Sequence, residues 1–184
     1  MQPVRIPIDS KVAADAAWYA WHVCEASFRR GFKSRFGNGG LVKHMQGKLG
    51  EFAFLLFCRK NMIPVLHDPF RKDYSELDEY DDFVVEILGV RKIVEVKTQT
   101  IKNALNPDEK LRLYYNKSQY NSKKSHDYIV VFVALNPEWT GVSLLGWIHA
   151  SEIKKFPVWS RNMKSPAYAI PIRALKPMKM FLEG

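Results

Sequence analysis

Glu95, Lys97 and Gln99 occupy alternate positions of the run Ile93-Val94-Glu95-Val96-Lys97-Thr98-Gln99, and Asp81 and Asp82 stand a short way upstream. In an extended chain successive side chains leave opposite faces. The carboxylate, the ammonium and the amide then share one face, while Val94, Val96 and Thr98 share the other. Charged groups set in so apolar a stretch are costly to bury unless they are paired or bind a metal. Converging carboxylates repel one another, and a divalent cation with oxygen ligands is the usual remedy. A competing expectation is an edge strand whose exposed face carries Glu95 and Lys97 as a solvated pair that discourages aggregation.

The elements that must position these groups follow from pattern. Phe83, Val84, Val85, Ile87 and Leu88 form one β-prone run and Ile93 to Thr98 another, with Gly89 between them where a hairpin turns. Asp81 and Asp82 head the first strand. Residues 42 to 60 read as a helix that is apolar nearly all round from Leu49 to Cys58 and is therefore buried. Glu51 is its one acid, either paired with a cation such as Lys48 or working at a site. Gly47 and Gly50 beside it permit close approach of another segment. Upstream, residues 9 to 35 read as a helix with Asp9 or Ser10 as N-cap, on which Trp18 and Trp21 are expected to pack. Its end mixes cations with aromatics: Arg29, Arg30, Lys33 and Arg35 either grip phosphates or complement the helix dipole. Ile63 to Leu66 read as a short strand. Leu111 to Tyr115 read as a strand or the approach to a helix over Lys117 to Lys124, and Tyr128 to Leu135 is the clearest buried strand. Ser143 to His149 form a further strand, and Tyr168 to Ile172 an edge strand that tolerates Pro171, followed by a short helix.

At 184 residues with 47% hydrophobic content, one globular domain is the simplest organisation. No apolar run approaches the roughly 20 residues of a membrane span, and the first residues lack the apolar block of a secretory signal, so an intracellular (cytoplasmic) protein is expected. Cys24 and Cys58 have no metal-ligand spacing and read as reduced core cysteines. The five histidines are scattered without paired spacing, against a histidine-bound metal. The net charge of +9 is uneven: +6 over residues 1 to 63, −5 over 64 to 95 and +8 over 96 to 184. An acidic centre inside a basic frame suits chemistry on nucleic-acid phosphates.

A helix with Glu51, a strand headed by Asp82, a strand with Glu95-Val96-Lys97, a helix and a strongly apolar strand together resemble the PD-(D/E)XK nuclease superfamily, which includes restriction endonucleases, archaeal Holliday-junction resolvases and RecB-like exonucleases. The matching part covers about residues 43 to 135. The resemblance implies an α/β fold with a restriction-endonuclease-like core (αβββαβ), a mixed central sheet flanked by helices, and an extra N-terminal helix and C-terminal strand and helix, in a single domain over residues 1 to 184. It implies a nuclease that hydrolyses DNA phosphodiesters with Mg²⁺, for which Mn²⁺ substitutes. Asp82 and Glu95, with the Val96 backbone carbonyl, then hold the metal; Lys97 orients or activates the attacking water; Glu51 and Gln99 support the site. Asp81 stands where the family often has Pro, and which of Asp81 and Asp82 is the ligand stays open. The spacing from Asp82 to Glu95 implies a bulge or an extended hairpin tip around Leu88 to Arg91. Gln119 matches a helix glutamine that some relatives aim at the site, and Lys48, Lys123 and Lys124 join the cations expected to contact DNA. A homodimer fits cutting of both strands.

Two other expectations compete: a nucleic-acid-binding protein that keeps the fold without activity, and an interaction protein whose Glu and Lys are surface pairs.

Overall fold

The computed structural model describes residues 2–29, 40–70, 83–161 and 163–183. Its centre is a six-stranded mixed sheet. β2 (Val65–His67), β3 (Phe83–Ile87) and β4 (Val90–Thr100) form an antiparallel meander. β6 (Ile129–Leu135) lies parallel to β4, β7 (Val142–His149) runs antiparallel to β6, and β1 (Val4–Ile6) closes the far edge against β7. A second sheet is wholly antiparallel. In it, β9 (Ala167–Pro171) sits between β5 (Arg112–Asn116), which belongs to the connection from β4 to β6, and β8 (Val158–Trp159).

The hairpin turns in two residues. Leu88 and Gly89 both adopt positive φ, 50° and 77°, the backbone whose twist matches that of paired strands. Ile87 pairs with Val90 and the ladder continues unbroken to Phe83 opposite Val94. The bulge or extended tip expected around Leu88 to Arg91 is therefore absent: the spacing from residue 82 to residue 95 is used up by an unbroken ladder and a tight turn. The expectation of an exposed, solvated Glu95–Lys97 pair also falls, because Glu95 is buried.

α1 (Ser10–Arg29) and α2 (Gly40–Lys60) pack together on one face of the central sheet. Asp9 caps α1, its carboxylate accepting from the Val12 N–H at 2.8 Å. Contrary to expectation, Trp18 and Trp21 point outward, 63% and 56% exposed. The inward stripe of α1 consists of Ala16 and Ala20, small enough to bring the two helix axes close. α2 buries Leu49, Ala53, Phe54, Phe57 and Cys58 against Phe83, Val85, Val94, Val131, Val133 and Phe181. At Gly50 the contact with β4 leaves no room for a side chain, since a Cβ there would lie 1.9 Å from Thr98 Oγ1.

The other face of the sheet carries a second core. Val130, Phe132, Ala134, Leu145 and Ile148 meet Leu113 and Tyr115 of β5 and Tyr168 and Ile170 of β9. Two short helices, α3 (Lys117–Ser122) and α4 (Ala150–Ile153), and one, α5 (Met178–Phe181), complete the chain, the last packing through Phe181 into the core under α2. Residues 167 to 171 thus form a middle strand rather than the expected edge strand. Pro171 is tolerated because it is the last residue of β9. Sequence periodicity did not reveal β1, a three-residue strand set between Pro3 and Pro7.

Candidate active site around Glu95

The pleat of β4 divides its side chains as expected. Val94 and Val96 enter the core under α2, and Glu95 and Lys97, paired across the ladder with Val130 and Phe132, face the second core. Among the described residues Glu95 is the only buried side chain of an ionised type, and it is 4% exposed. A carboxylate so placed must be compensated on both oxygens. Lys97 Nζ lies 2.5 Å from Oε1, the Tyr115 hydroxyl donates to Oε2, and Lys123 Nζ approaches Oε2 at 4.0 Å.

Three elements converge to make this arrangement. β5 supplies Tyr115, whose hydroxyl also lies 3.0 Å from that of Tyr128, the residue just before β6. Burial first, and the negative charge of Glu95 second, push the Tyr115 phenol well above its ordinary range. Tyr115 therefore keeps its proton and donates it in the hydrogen bond to Glu95. Tyr128 must then be the donor between the two hydroxyls. α3 supplies Gln119, whose Oε1 accepts from Lys97 Nζ at 3.0 Å. Asn116 sets the start of this helix: its side chain accepts from the N–H groups of Ser118 and Gln119 at 2.9 and 3.2 Å and donates to Ser165 Oγ at 2.6 Å. His126 stacks on Tyr120 with ring centroids 3.9 Å apart, holding the C-terminal side of α3, from which Lys123 follows.

Among the described residues the ladder from β4 to β3 runs from Val90 to Val94, and the parallel ladder to β6 runs from Val94 to Thr100 and includes Val96 opposite Val131.

The other expected site residues among those described have partners of their own or are exposed. Gln99 is committed elsewhere: its Oε1 accepts from the Tyr114 N–H at 2.8 Å, tying β4 to β5. Glu51 pairs with Lys48 at 2.6 Å on α2, and Lys48 also lies 4.8 Å from the Tyr19 ring and 5.4 Å from the Phe70 ring. That ammonium, 12% exposed, is enclosed rather than offered to a polyanion. Arg29 is exposed and bonded to Glu25 at 2.6 Å. Lys124 is exposed. Asp81, Asp82, Arg30, Lys33 and Arg35 lie outside the described residues.

Tyr115 and Tyr128 are the members that sequence reasoning missed. The available signal was a tyrosine within one apolar strand and another heading the most apolar one, since a buried phenol needs a polar partner. Among the described residues no three His, Cys, Asp or Glu side chains cluster to hold a metal. The donors present here, one carboxylate and a strand carbonyl, are hard oxygens of the kind Mg²⁺ takes. No helix among the described residues is long and apolar enough to cross a membrane. No protein-family model, no curated protein and no solved structure matches this chain.

Proposed function

We propose that this protein is a Mg²⁺-dependent nuclease of the PD-(D/E)XK kind that hydrolyses DNA phosphodiesters at Glu95 and Lys97. The observation that carries the reading is a deeply buried glutamate with a lysine two residues on, 2.5 Å away, on a strand of the central sheet. The strand order supports it: an antiparallel meander, a crossover to a parallel strand and a helix on the face of the sheet are compatible with an αβββαβ core.

Glu95, Asp82 and the Val96 carbonyl would hold the metal, which supplies a water of lowered pKa and neutralises charge on the phosphate. Lys97, steadied by Gln119, directs an ammonium at the oxygen where negative charge grows as the phosphorus is attacked. Tyr115 and Lys123 hold the second carboxylate oxygen, so that Glu95 keeps one orientation. Gln99 acts through β5, fixing the strand that carries Tyr115. Lys123, Lys124 and the basic frame attract the polyanion.

Incubation with plasmid, linear duplex, single strands and a four-way junction, each with and without Mg²⁺, tests the reading. Cleavage that needs the metal and is lost in Lys97→Ala, with fold and DNA binding intact, is the expected result. A Lys97→Ala protein that cuts as fast as the parent overturns it. Calorimetric titration with Mn²⁺ separates the nuclease from a binding protein of the same fold, which need not take up the ion at Glu95.

A further inference from the structure

The second sheet carries a group that the catalytic reading leaves unused. Residues directly paired on neighbouring strands leave a sheet on the same side. The row Asn116, Ala167, Trp159 across β5, β9 and β8 therefore lies on one face, and the row Tyr115, Tyr168, Val158 on the other, toward the second core. Trp159 is 44% exposed. Its indole N–H donates to the Arg161 carbonyl at 3.0 Å. With the polar edge of the ring engaged by its own turn, the π face is what remains for a partner.

The surroundings of this ring indicate the partner. Over residues 151 to 166 the cations Lys154, Lys155, Arg161 and Lys164, all exposed, face one acid, Glu152, which lies 3.8 Å from Lys155. An exposed indole among cations in excess matches an unpaired nucleic-acid strand, whose phosphates meet the cations while an unstacked base covers the ring. In a closed duplex each base is covered by its neighbours and offers the ring no face.

The turn is also held beside the Glu95 cluster. In the row across the sheet only the small Ala167 separates Trp159 from Asn116, about 10 Å over two strand spacings. Asn116 donates to Ser165 Oγ at 2.6 Å, and the Lys117 N–H donates to the Pro166 carbonyl at 3.0 Å. Asn116 starts α3, the helix that brings Gln119 to Lys97.

We infer that β8 and the turn after it bind an unpaired strand of nucleic acid, one base stacking on Trp159 and the flanking phosphates meeting Arg161 and Lys164. Base faces and phosphates are common to DNA and RNA, so the two sugars are separate arms of the test. The binding stands apart from the nuclease reading. The substrate class that follows, a chain with an unpaired stretch beside the phosphate to be cut, rests on that reading.

Fluorescence anisotropy with labelled oligothymidylate and oligouridylate of about 20 nucleotides, in EDTA so that nothing is cut and with closed circular duplex as competitor, tests it. The parent binds at least one oligomer more tightly than the duplex. Trp159→Leu weakens that binding about tenfold, whereas Trp159→Phe, which keeps a π face, stays close to the parent. Both melt at the parent temperature, because the side chain lies outside the core. Arg161→Ala with Lys164→Ala makes the slope of log affinity on log salt shallower by about 1.4. A parent that binds neither oligomer or prefers the duplex, a Trp159→Leu protein that binds as the parent does, or equal losses in the Leu and Phe variants overturns the inference. Strand binding by a protein that cuts nothing with Mg²⁺ upholds this surface and defeats the nuclease reading; Mg²⁺-dependent cutting with affinity unchanged in Trp159→Leu does the reverse.

Discussion

The two faces of β4 are built from the same seven residues and solve opposite problems. On one, Val94 and Val96 join an apolar core under α2, and Thr98 fits against Gly50. On the other, Glu95 is taken out of water and each of its oxygens needs a donor or a cation, supplied by a lysine two residues away, a tyrosine from another sheet and a lysine beyond α3. The apolar face gains stability from burial alone. Its polar counterpart spends stability on desolvating a charge, an expense that a structural role does not require. Substitutions on the two faces should therefore separate fold from function.

The largest effect is expected from Lys97→Ala. Removing one group that meets developing charge lowers cleavage by about 10² to 10³ fold, while Tyr115 and Lys123 still compensate Glu95 and the melt stays near that of the parent. Plasmid nicking beside thermal denaturation measures both; a large loss of stability would erase the distinction between the faces. Next is Gly50→Ala, which drives a methyl into Thr98. Overpacking there costs about 1 to 3 kcal/mol in denaturant unfolding, with cleavage per folded molecule unchanged. Thr98→Ala in the same chain recovers most of it, and additive losses would show that the two positions do not touch.

Tyr115→Phe leaves one oxygen of a buried carboxylate short of a donor, at about 1 to 3 kcal/mol. Tyr128→Phe removes only the donor to Tyr115 and costs less. Equal losses would contradict the direction assigned to that chain of hydroxyls. The smallest effect sharpens the comparison through pH. Burial pushes the Cys58 thiol on the α2 side from its ordinary 9.0 up to about 12. The folded chain keeps this proton while the unfolded chain releases it, so stability falls as pH rises above about 9, by about 1.4 kcal/mol per unit toward 12. Around pH 9, where an unfolded tyrosine is only about a tenth ionised, Cys58→Ala should flatten the slope. An unchanged slope would place the thiol elsewhere than in the core.

Short-range pattern made much of this legible. Alternation along residues 93 to 99, the apolar run of β6 and the buried character of α2 all reflect periods of two or of 3.6 that burial imposes directly. The tryptophans of α1 did not yield to it. Helical spacing identifies a stripe without saying which stripe faces in, and here the small alanines, which let α2 come close, outrank the indoles. Nor could spacing reveal that β9 lies between β5 and β8, since strand pairing over long separations leaves no local trace. Tyr115 was hidden for the same reason: its importance comes from a glutamate on a different sheet.

Among the described residues β5 is held in its sheet by β9 alone, and Tyr115 is paired there with Tyr168. During translation residues 167 to 171 leave the ribosome well after every other member of the Glu95 cluster has emerged. A nascent chain shorter than that has the carboxylate and its lysines but no strand to brace the phenol, so the charged centre matures last. Timing is thereby written into the connectivity: the cluster around the buried carboxylate is finished only when folding is nearly over.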